Sequence, residues 1–395
     1  MKVNSINNNS FAGKIIDAHA HIGQWQGANY SVEAVDKFIH SNLSNGDTVE
    51  KIIVSNLSCI DNGGILDEIN GNKEILEKIS TNSQYAPLAV CQPHKGSVEN
   101  IKQLFKETKD KFVGLKFHPD CHQLIASNEA YLPYLKFAEE NDLPCVFHLG
   151  ITYKPNSSEF VDIARRYSSP EEIYSIAKKA PKVPVVLAHM GAGGEKVHKI
   201  ALRTLLDSIE NGDANLYADI SWVDCNDINK PNIIQAIKDL KNTSKGDMTS
   251  RLLFGSDAPI GEFSTGIIDN VTGETLTGKQ FYEKSITDIK TAIKKHFPDE
   301  AEEITEKIFY KNADELFFKE KNMIKENTEN IINNTKNNIK NNKKIMAFAG
   351  LIIGTIALIS IAFKNKTEKA PQKTTNILSN TPKNNVADVF SVFKK

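Results

Sequence analysis

The sequence predicts an α/β fold, a TIM-type (β/α)8 barrel, and two observations lead to this prediction. Eight short apolar runs alternate with helical segments between Lys14 and about Phe318. Near-continuous apolar strands separated by helices indicate a parallel sheet covered on both faces, and eight such units over roughly 300 residues fit a closed barrel. A doubly wound open sheet is the rival, but no GxGxxG motif follows the first run, which weakens its dinucleotide-binding form.

The predicted elements alternate along the chain. The strand-like runs are Lys14–His19, Lys51–Asn56, Ala86–Gln92, Phe112–His118, Pro144–Leu149, Pro184–His189, Asn215–Ile220 and Arg251–Gly255. Between them, apolar residues at helical spacing predict helices such as Val98–Glu107, Tyr131–Asn141, Pro170–Lys179, Val197–Ile209 and Asn232–Leu240.

Composition limits the class of protein. The 395 residues include 48 basic and 49 acidic side chains, a net charge of −1, which argues against a general nucleic-acid binder. The five cysteines show no metal-binding or redox spacing, so we expect buried, reduced thiols. The charge is uneven, because residues 321–395 carry 13 lysines, no arginine and four acidic residues, a net charge of +9.

The regions around the predicted barrel are polar. Residues 1–13 begin with an asparagine-rich stretch that lacks the apolar core of a secretory signal, and we expect a disordered lead-in before a barrel domain at 14–320. Residues 321–344 contain nine asparagines and predict a polar stalk. Residues 364–395 predict a polar tail.

An apolar run, Ile345–Phe363, separates the stalk from the tail and has 19 residues without a charge. As a helix it would be about 28 Å long, close to the hydrocarbon thickness of a bilayer. We therefore expect one C-terminal transmembrane helix, with the catalytic domain cytoplasmic because the acidic, cysteine-containing part carries no export signal. Gly350 and Gly354 form a GxxxG motif, which is compatible with helix pairing in a homo-oligomer.

Side chains of metal-binding type end five of the eight runs. His19 and His21 are two residues apart in the first run, so they project from the same face of a strand. The carboxyl ends of barrel strands converge on one face, so residues that end different runs should share one pocket. Imidazole and carboxylate groups together predict a metal site. The other residues at run ends are His118, His148, His189 and Asp257.

This pattern resembles the amidohydrolase superfamily, specifically its amidohydrolase-related branch of metal-dependent hydrolases and decarboxylases. The resemblance covers about residues 14–318 and includes the closing segment ITEKIFYKNADELF. It implies one or two divalent ions, Zn²⁺ first, with Mn²⁺, Fe²⁺ or Ni²⁺ as alternatives. By position, it makes His189 a ligand of a second metal or a catalytic base, and Asp257 a ligand that shuttles a proton. The remaining implied ligands are His19, His21 and His148.

The chemical state of Lys116 determines whether the predicted site would hold one metal ion or two. In two-metal members of the superfamily a lysine of the fourth strand is carboxylated and bridges the metals. The segment GLKFHPD resembles the fourth strand of ureases, in which a substrate-orienting histidine stands two residues after that lysine. Lys116 and His118 have this spacing, so both can face the barrel interior. The alternatives are a Lys116 ammonium paired with a carboxylate such as Asp257, or one that binds an anionic substrate.

The resemblance implies metal-assisted hydrolysis of an amide, ester or lactone-type bond in a small-molecule substrate. Asp257 would take the proton of the attacking water, and His118 or His189 would help to stabilise the oxyanion. A non-oxidative decarboxylase on the same scaffold is one alternative, and a membrane-tethered binding protein without catalysis is another, against which the intact ligand set argues. No substrate-reading residue stands out, and candidates for the pocket lining are Trp25, Trp222 and Asp224.

The membrane anchor yields a first prediction. The full-length chain should resist carbonate extraction from membranes, whereas a chain that ends at Asn341 should be soluble and keep its activity, because only Ile345–Phe363 is apolar enough to span a bilayer. Fractionation of cells that express both forms measures this. Full-length protein that is soluble without detergent contradicts the anchor, and a barrel digested by protease added to intact cells contradicts the orientation.

Overall fold

The computed structural model of the chain describes residues 13–319, except 62, 110, 150–151, 154–159, 162–166, 192–194, 224–231, 261–266 and 269–272. The chain divides into two units, Met1–Lys321 and Asn322–Lys395, and every described residue belongs to the first. The predicted stalk, the run Ile345–Phe363, the tail, Asp224 and Cys225 lie outside the described residues. The other four cysteines are buried and free, as predicted.

Among the described residues, eight parallel strands form the sheet that the sequence predicts, and a short antiparallel strand, Ala28–Tyr30, extends it beside the first of them. Their ranges are β1 Lys14–Trp25, β2 Thr48–Asn56, β3 Tyr85–Val90, β4 Gly114–Phe117, β5 Cys145–Phe147, β6 Pro184–Leu187, β7 Asn215–Asp219 and β8 Leu252–Leu253. Each strand pairs in parallel with the next one along the chain. All eight predicted runs are strands, and the α/β barrel is confirmed.

The residues after β8 close the barrel against β1. The backbone N–H of Ala18 donates to the carbonyl of Phe254 at 2.9 Å, and that of His21 donates to Ala258 at 2.7 Å. Ala20 and Ala258 form a parallel bridge in the same place. A closed sheet has no unpaired edge, so the carboxyl ends of all eight strands surround one mouth.

Helices follow the strands and cover the barrel from outside. The main ones are α1 Val32–Phe38, α2 Glu68–Lys78, α3 Val98–Thr108, α4 Pro119–His122, α5 Leu132–Glu140, α6 Pro170–Ala177, α7 Glu195–Asn211, α8 Ile233–Lys241, α9 Gly278–His296 and α10 Ala301–Glu306. The five helices that the periodicity predicts end within two residues of these bounds. Polar residues cap several of them, and Asp67, for example, accepts from the N–H groups of Ile69 and Asn70 at the start of α2.

Apolar side chains fill the barrel at the amino-terminal side of the strands. They come from seven of the strands or from residues next to them, and Ala313 and Phe317 from the last helical turns pack against them. Asn312 fixes these turns, because its side-chain amide donates to the carbonyls of Thr249 at 3.0 Å and Leu252 at 2.7 Å. This end of the barrel is therefore packed, and the polar residues gather at the opposite end.

A register shift in β1 turns the two predicted histidines toward the mouth. Ile16 and Ala18 belong to the apolar interior, whereas His19 and His21 face the polar site further along the same strand. The pairing of β1 with β2 is irregular between Asp17 and Ala20, as in a β-bulge. Because of the bulge, neighbouring residues of β1 contribute side chains both to the apolar core and to the polar site.

No helix among residues 13–319, gaps excepted, is long and apolar enough to cross a membrane. The predicted anchor lies outside this part of the chain, so its membrane insertion stays a prediction.

Candidate metal centre

All the predicted site residues lie together at the mouth of the barrel. Contacts between neighbouring side chains connect them into one buried cluster, which we call the central cluster. Seven different strands or strand ends supply the cluster and its orienting partners. Its members are His19, His21, Lys116, His118, His148, His189 and Asp257.

Three of these side chains converge as metal ligands do. The Nε2 atoms of His19 and His21 are 3.1 Å apart, and His21 Nε2 is 2.9 Å from Asp257 Oδ1. His19 Nε2 lies 3.6 Å from the same oxygen. Two imidazole nitrogens and one carboxylate oxygen around a common point are a donor set that suits a divalent transition metal.

The other nitrogen of each of these histidines is held by a partner. His19 Nδ1 is 3.0 Å from Asp219 Oδ2, and His21 Nδ1 is 2.9 Å from Ser55 Oγ. Such contacts fix the ring orientation and direct Nε2 toward a metal. The donors therefore fit a metal ion, both in their chemistry and in the way in which each ring is oriented.

Asp219 is a site residue that the sequence analysis missed. It ends β7 and is 1 % exposed, and besides His19 it accepts hydrogen bonds from the backbone N–H groups of His189 and Ser221. The signal was present, because Asp219 is an ionisable residue near the end of the seventh apolar run. Its role as a support for His19, 200 positions away, has no sequence signature.

His189 and His148 form the second side of the central cluster. His189 Nδ1 is 2.8 Å from Ser221 Oγ, and its Nε2 is 3.4 Å from His148 Nδ1. His189 Nδ1 also lies 4.0 Å from Asp257 Oδ2. His189 is thus oriented by a hydroxyl in the way that His21 is, with its second nitrogen turned toward His148.

Lys116 lies at the base of the central cluster and is fully buried. Its Nζ is 3.0 Å from His19 Nε2, which places the amine next to the candidate ligands. Burial lowers the pKa of Lys116 to about 8, although Asp219 and Asp257 act in the opposite direction. Lys116 therefore loses its proton at a lower pH than an ordinary lysine does, and the neutral amine is the form that can add to carbon dioxide.

The electrostatics of the central cluster favour the protonation states that bind metal. Burial lowers the pKa of His21 to about 3, although Asp257 raises it, and burial holds the pKa of His189 well below its ordinary value. Burial raises the pKa of Asp257, but the neighbouring His189, His21 and His19 hold it well below its usual range. Neutral imidazoles and an ionised carboxylate can bind a cation without first releasing a proton.

His118 faces the same space from the end of β4. Its ring stacks on that of His148, with centroids 5.3 Å apart, and its Nε2 has no hydrogen-bond partner among the described residues. Asp120, which the sequence analysis did not single out, lies 3.5 Å from His148 Nε2 through its Oδ2. His118 therefore keeps a buried ring nitrogen available for a bound molecule.

Three residues after the last three strands adopt a left-handed backbone conformation. The φ angles are 60° at His189, 60° at Trp222 and 59° at Asp257. This region is unfavourable for residues other than glycine, and it is found where the surrounding structure imposes it, often at active sites. The Trp222 indole N–H also donates to Asp257 Oδ2 at 2.8 Å, so the expected pocket residue Trp222 contacts the predicted catalytic carboxylate.

Other predicted pocket residues lie elsewhere. Trp25 donates weakly to the carbonyl of Asp61 at 3.5 Å and packs against an apolar cluster beside the mouth, so it is a packing residue. Asp224 falls outside the described residues. His94, which follows β3, contacts Asp61 and not the central cluster.

Comparison with known proteins identifies the family to which the chain belongs. The sequence profile of a family described as amidohydrolase matches residues 86–319, which is more than half of the chain. The chain therefore belongs to the amidohydrolase family, and the predicted resemblance is confirmed. No curated protein matches the chain.

Several solved structures are similar to the chain at low sequence identity. A probable 2-pyrone-4,6-dicarboxylic acid hydrolase from Acinetobacter baumannii is 16 % identical, with 77 % of this chain and 98 % of that chain covered and a TM-score of 0.43. A 4-oxalomesaconate hydratase from Rhodopseudomonas palustris is 14 % identical, with 80 % and 99 % covered and a TM-score of 0.46. A 5-carboxyvanillate decarboxylase from Novosphingobium aromaticivorans, complexed with manganese, is 11 % identical, with 78 % and 97 % covered and a TM-score of 0.47.

The central cluster predicts that His19 and His21 hold metal. The double variant His19→Ala, His21→Ala should lose most of the metal bound there, because it removes two of three convergent donors. Metal analysis of the purified protein measures this, with His40→Ala as a control that removes a histidine from outside the central cluster. Unchanged metal content in the folded double variant contradicts the assignment.

Proposed function

We propose that the protein is a metal-dependent hydrolase that acts on an amide, ester or lactone-type bond of a small molecule. The observation that carries this proposal is the convergence of His19, His21 and Asp257, with an orienting partner on the second nitrogen of both rings. This donor set fits Zn²⁺ best, and Mn²⁺, Fe²⁺ and Ni²⁺ are alternatives. A divalent ion held by these residues would supply Lewis-acid chemistry and would lower the pKa of a bound water toward neutrality.

Asp257 is the group that accepts the proton of the attacking water and returns it to the leaving group. Its carboxylate is ionised at neutral pH, because the surrounding histidines keep its pKa low. His21 on one oxygen and the Trp222 indole on the other hold it in a single orientation. A fixed, ionised carboxylate at the edge of the cluster is what such a proton transfer requires.

His118 and His189 are the candidates to stabilise the oxyanion that forms when water adds to a carbonyl carbon. The free Nε2 of His118 is buried, so a hydrogen bond from it forms in a region from which water is largely excluded. Ser221 holds His189 by Nδ1, which leaves its Nε2 to face the pocket beside His148. Both residues thus present a nitrogen to a substrate that enters the mouth.

A non-oxidative decarboxylase is the second candidate, and one observation favours it. Lys116, His118, His148 and His189 lie beside the three convergent donors, and their N–H groups can donate hydrogen bonds to a substrate that carries a carboxylate. The metal-loaded full-length chain should be assayed with esters, amides and lactones, and separately with carboxylic acids under detection of released carbon dioxide. Hydrolysis supports the first proposal, and release of carbon dioxide without hydrolysis replaces it by the second.

We propose further that Ile345–Phe363 anchors the enzyme as a single C-terminal span with the barrel in the cytoplasm. The polar stalk of residues 321–344 would then separate the site from the bilayer, so the substrate need not be a lipid. The extraction experiment described above tests this.

Lys116 yields a prediction on the number of metal ions. We expect its neutral amine to add to carbon dioxide, which forms an N–C bond and releases one proton, and the resulting carbamate then supplies oxygen ligands. Lys116→Ala should lose at least about 90 % of the activity, and short carboxylic acids with added metal should restore part of it. An unmodified Lys116 amine in an active, fully metallated protein supports a site with one ion instead.

Asp257 yields a prediction on the chemical step. Asp257→Asn keeps the size of the side chain but removes the proton acceptor, and we expect kcat to fall at least about a hundredfold. Steady-state kinetics at matched metal occupancy separate this loss from a loss of metal. A rate close to that of the unmodified protein means that another group, such as His189, takes the proton.

A further inference from the structure

A second group of metal-binding side chains lies at the rim of the barrel mouth, and we call it the rim cluster. It consists of Asp61, after β2, His94, after β3, and His122, the last residue of α4. One ligand atom of each lies within 4.8 Å of the other two. Three separate strand-to-helix connections thus bring two imidazoles and one carboxylate together.

The contacts within the rim cluster leave one carboxylate oxygen directed at the imidazoles. His94 Nε2 lies 2.5 Å from Asp61 Oδ2, and the rings of His94 and His122 stack with centroids 4.6 Å apart. Lys95 Nζ pairs with the other oxygen, Asp61 Oδ1, at 2.5 Å. Lys95 therefore orients the carboxylate and leaves Oδ2 on the side of the histidines, as a partner of a metal-binding carboxylate does.

His122 indicates that the rim cluster holds a ligand. It is 5 % exposed, and neither of its ring nitrogens has a hydrogen-bond partner among the described residues. The ring nitrogens of His94 also make no hydrogen bond of good geometry there, despite the short contact to Asp61. Buried polar atoms without a partner are costly, and an unsatisfied imidazole in a folded protein requires an explanation.

We propose that the rim cluster binds one divalent transition-metal ion, Zn²⁺ or the chemically similar Co²⁺ or Ni²⁺. Two imidazole nitrogens and one carboxylate oxygen form a donor set of the kind that such ions prefer, whereas Ca²⁺ and Mg²⁺ prefer oxygen alone. The ion supplies the missing partner of His122 and replaces the close approach of His94 to Asp61. Three protein ligands leave a further coordination position for water or for an oxygen of a bound molecule.

The rim cluster is separate from the central cluster. The ring centroid of His122 is 6.3 Å from that of His118, which in turn lies 6.3 Å from that of His21. No candidate ligand is shared between the two clusters. Binding at the rim would join the connections after β2, β3 and β4, which border the mouth, and it does not depend on the function proposed for the central cluster.

The opposing explanation is an ordinary ion-pair network. Asp61 already contacts both Lys95 and His94, and its side chain is 28 % exposed, so a solvated network needs no metal. The two explanations differ in metal stoichiometry, which is measurable without any knowledge of the substrate.

Metal stoichiometry of the full-length chain in detergent tests the proposal. After removal of metal with a chelator, equilibrium dialysis against Zn²⁺ should show one ion fewer per chain for His94→Ala, His122→Ala than for the unmodified protein. The variant His19→Ala, His21→Ala should keep the rim ion while it loses the central one, and His40→Ala should lose neither. When Co²⁺ replaces Zn²⁺, the variant His19→Ala, His21→Ala should show an absorption band from the rim ion, because this variant has lost the central ion.

Asp61→Asn provides a milder test, because the substituted side chain is nearly isosteric and partly exposed. It should weaken binding of the rim ion at least tenfold, with an unchanged circular dichroism spectrum. The proposal is overturned if folded Asp61→Asn binds as many ions with the same affinity, or if His19→Ala, His21→Ala leaves no bound ion.

Discussion

The buried carboxylate of Asp219 is the interaction on which the central cluster depends. Asp219 lies at the end of β7, and one of its oxygens contacts the ring of His19 on β1. Its other oxygen accepts a hydrogen bond from the backbone N–H of His189, which follows β6. Burial of the carboxylate is unfavourable in itself, and its contacts with His19, His189 and Ser221 hold its pKa below its ordinary value. Loss of one partner of a buried charge typically costs about 3–5 kcal/mol. The same contacts that stabilise the charge therefore fix the positions of two candidate metal-binding rings.

A second buried carboxylate, Asp17, connects the closing strands beneath the site. It accepts from the backbone N–H groups of His19 at 3.1 Å and Ser256 at 3.0 Å, so it links β1 to the turn that carries Asp257. Burial raises its pKa to about 6, although these hydrogen bonds lower it. This turn maintains the left-handed backbone at Asp257. The backbone N–H of Asp257 itself donates to the carbonyl of His19 at 2.7 Å. Strain at the site is thus balanced by contacts with β1.

The sequence predicted the barrel and the positions of its candidate ligands because both follow from local rules. Apolar runs form strands, and residues at strand ends meet at one mouth, so His118, His148 and His189 could be placed without coordinates. The orienting partners could not, since contacts such as Ser55 with His21 join residues that no periodicity relates. The bulge in β1 was equally hidden, because it depends on the pairing of two strands. The membrane anchor and the number of metal ions stay predictions.

The two clusters differ in how their imidazoles are oriented, and this difference has a physical consequence. In the central cluster His19, His21 and His189 each have one ring nitrogen held by Asp219, Ser55 or Ser221. In the rim cluster Lys95 orients the carboxylate of Asp61, but the described residues supply no such partner to His122. Orienting partners typically contribute 10–100-fold to metal affinity. A rim ion would therefore bind more weakly than a central ion and exchange first, so the mouth of the barrel would combine a permanent metal position with one that responds to the metal supply.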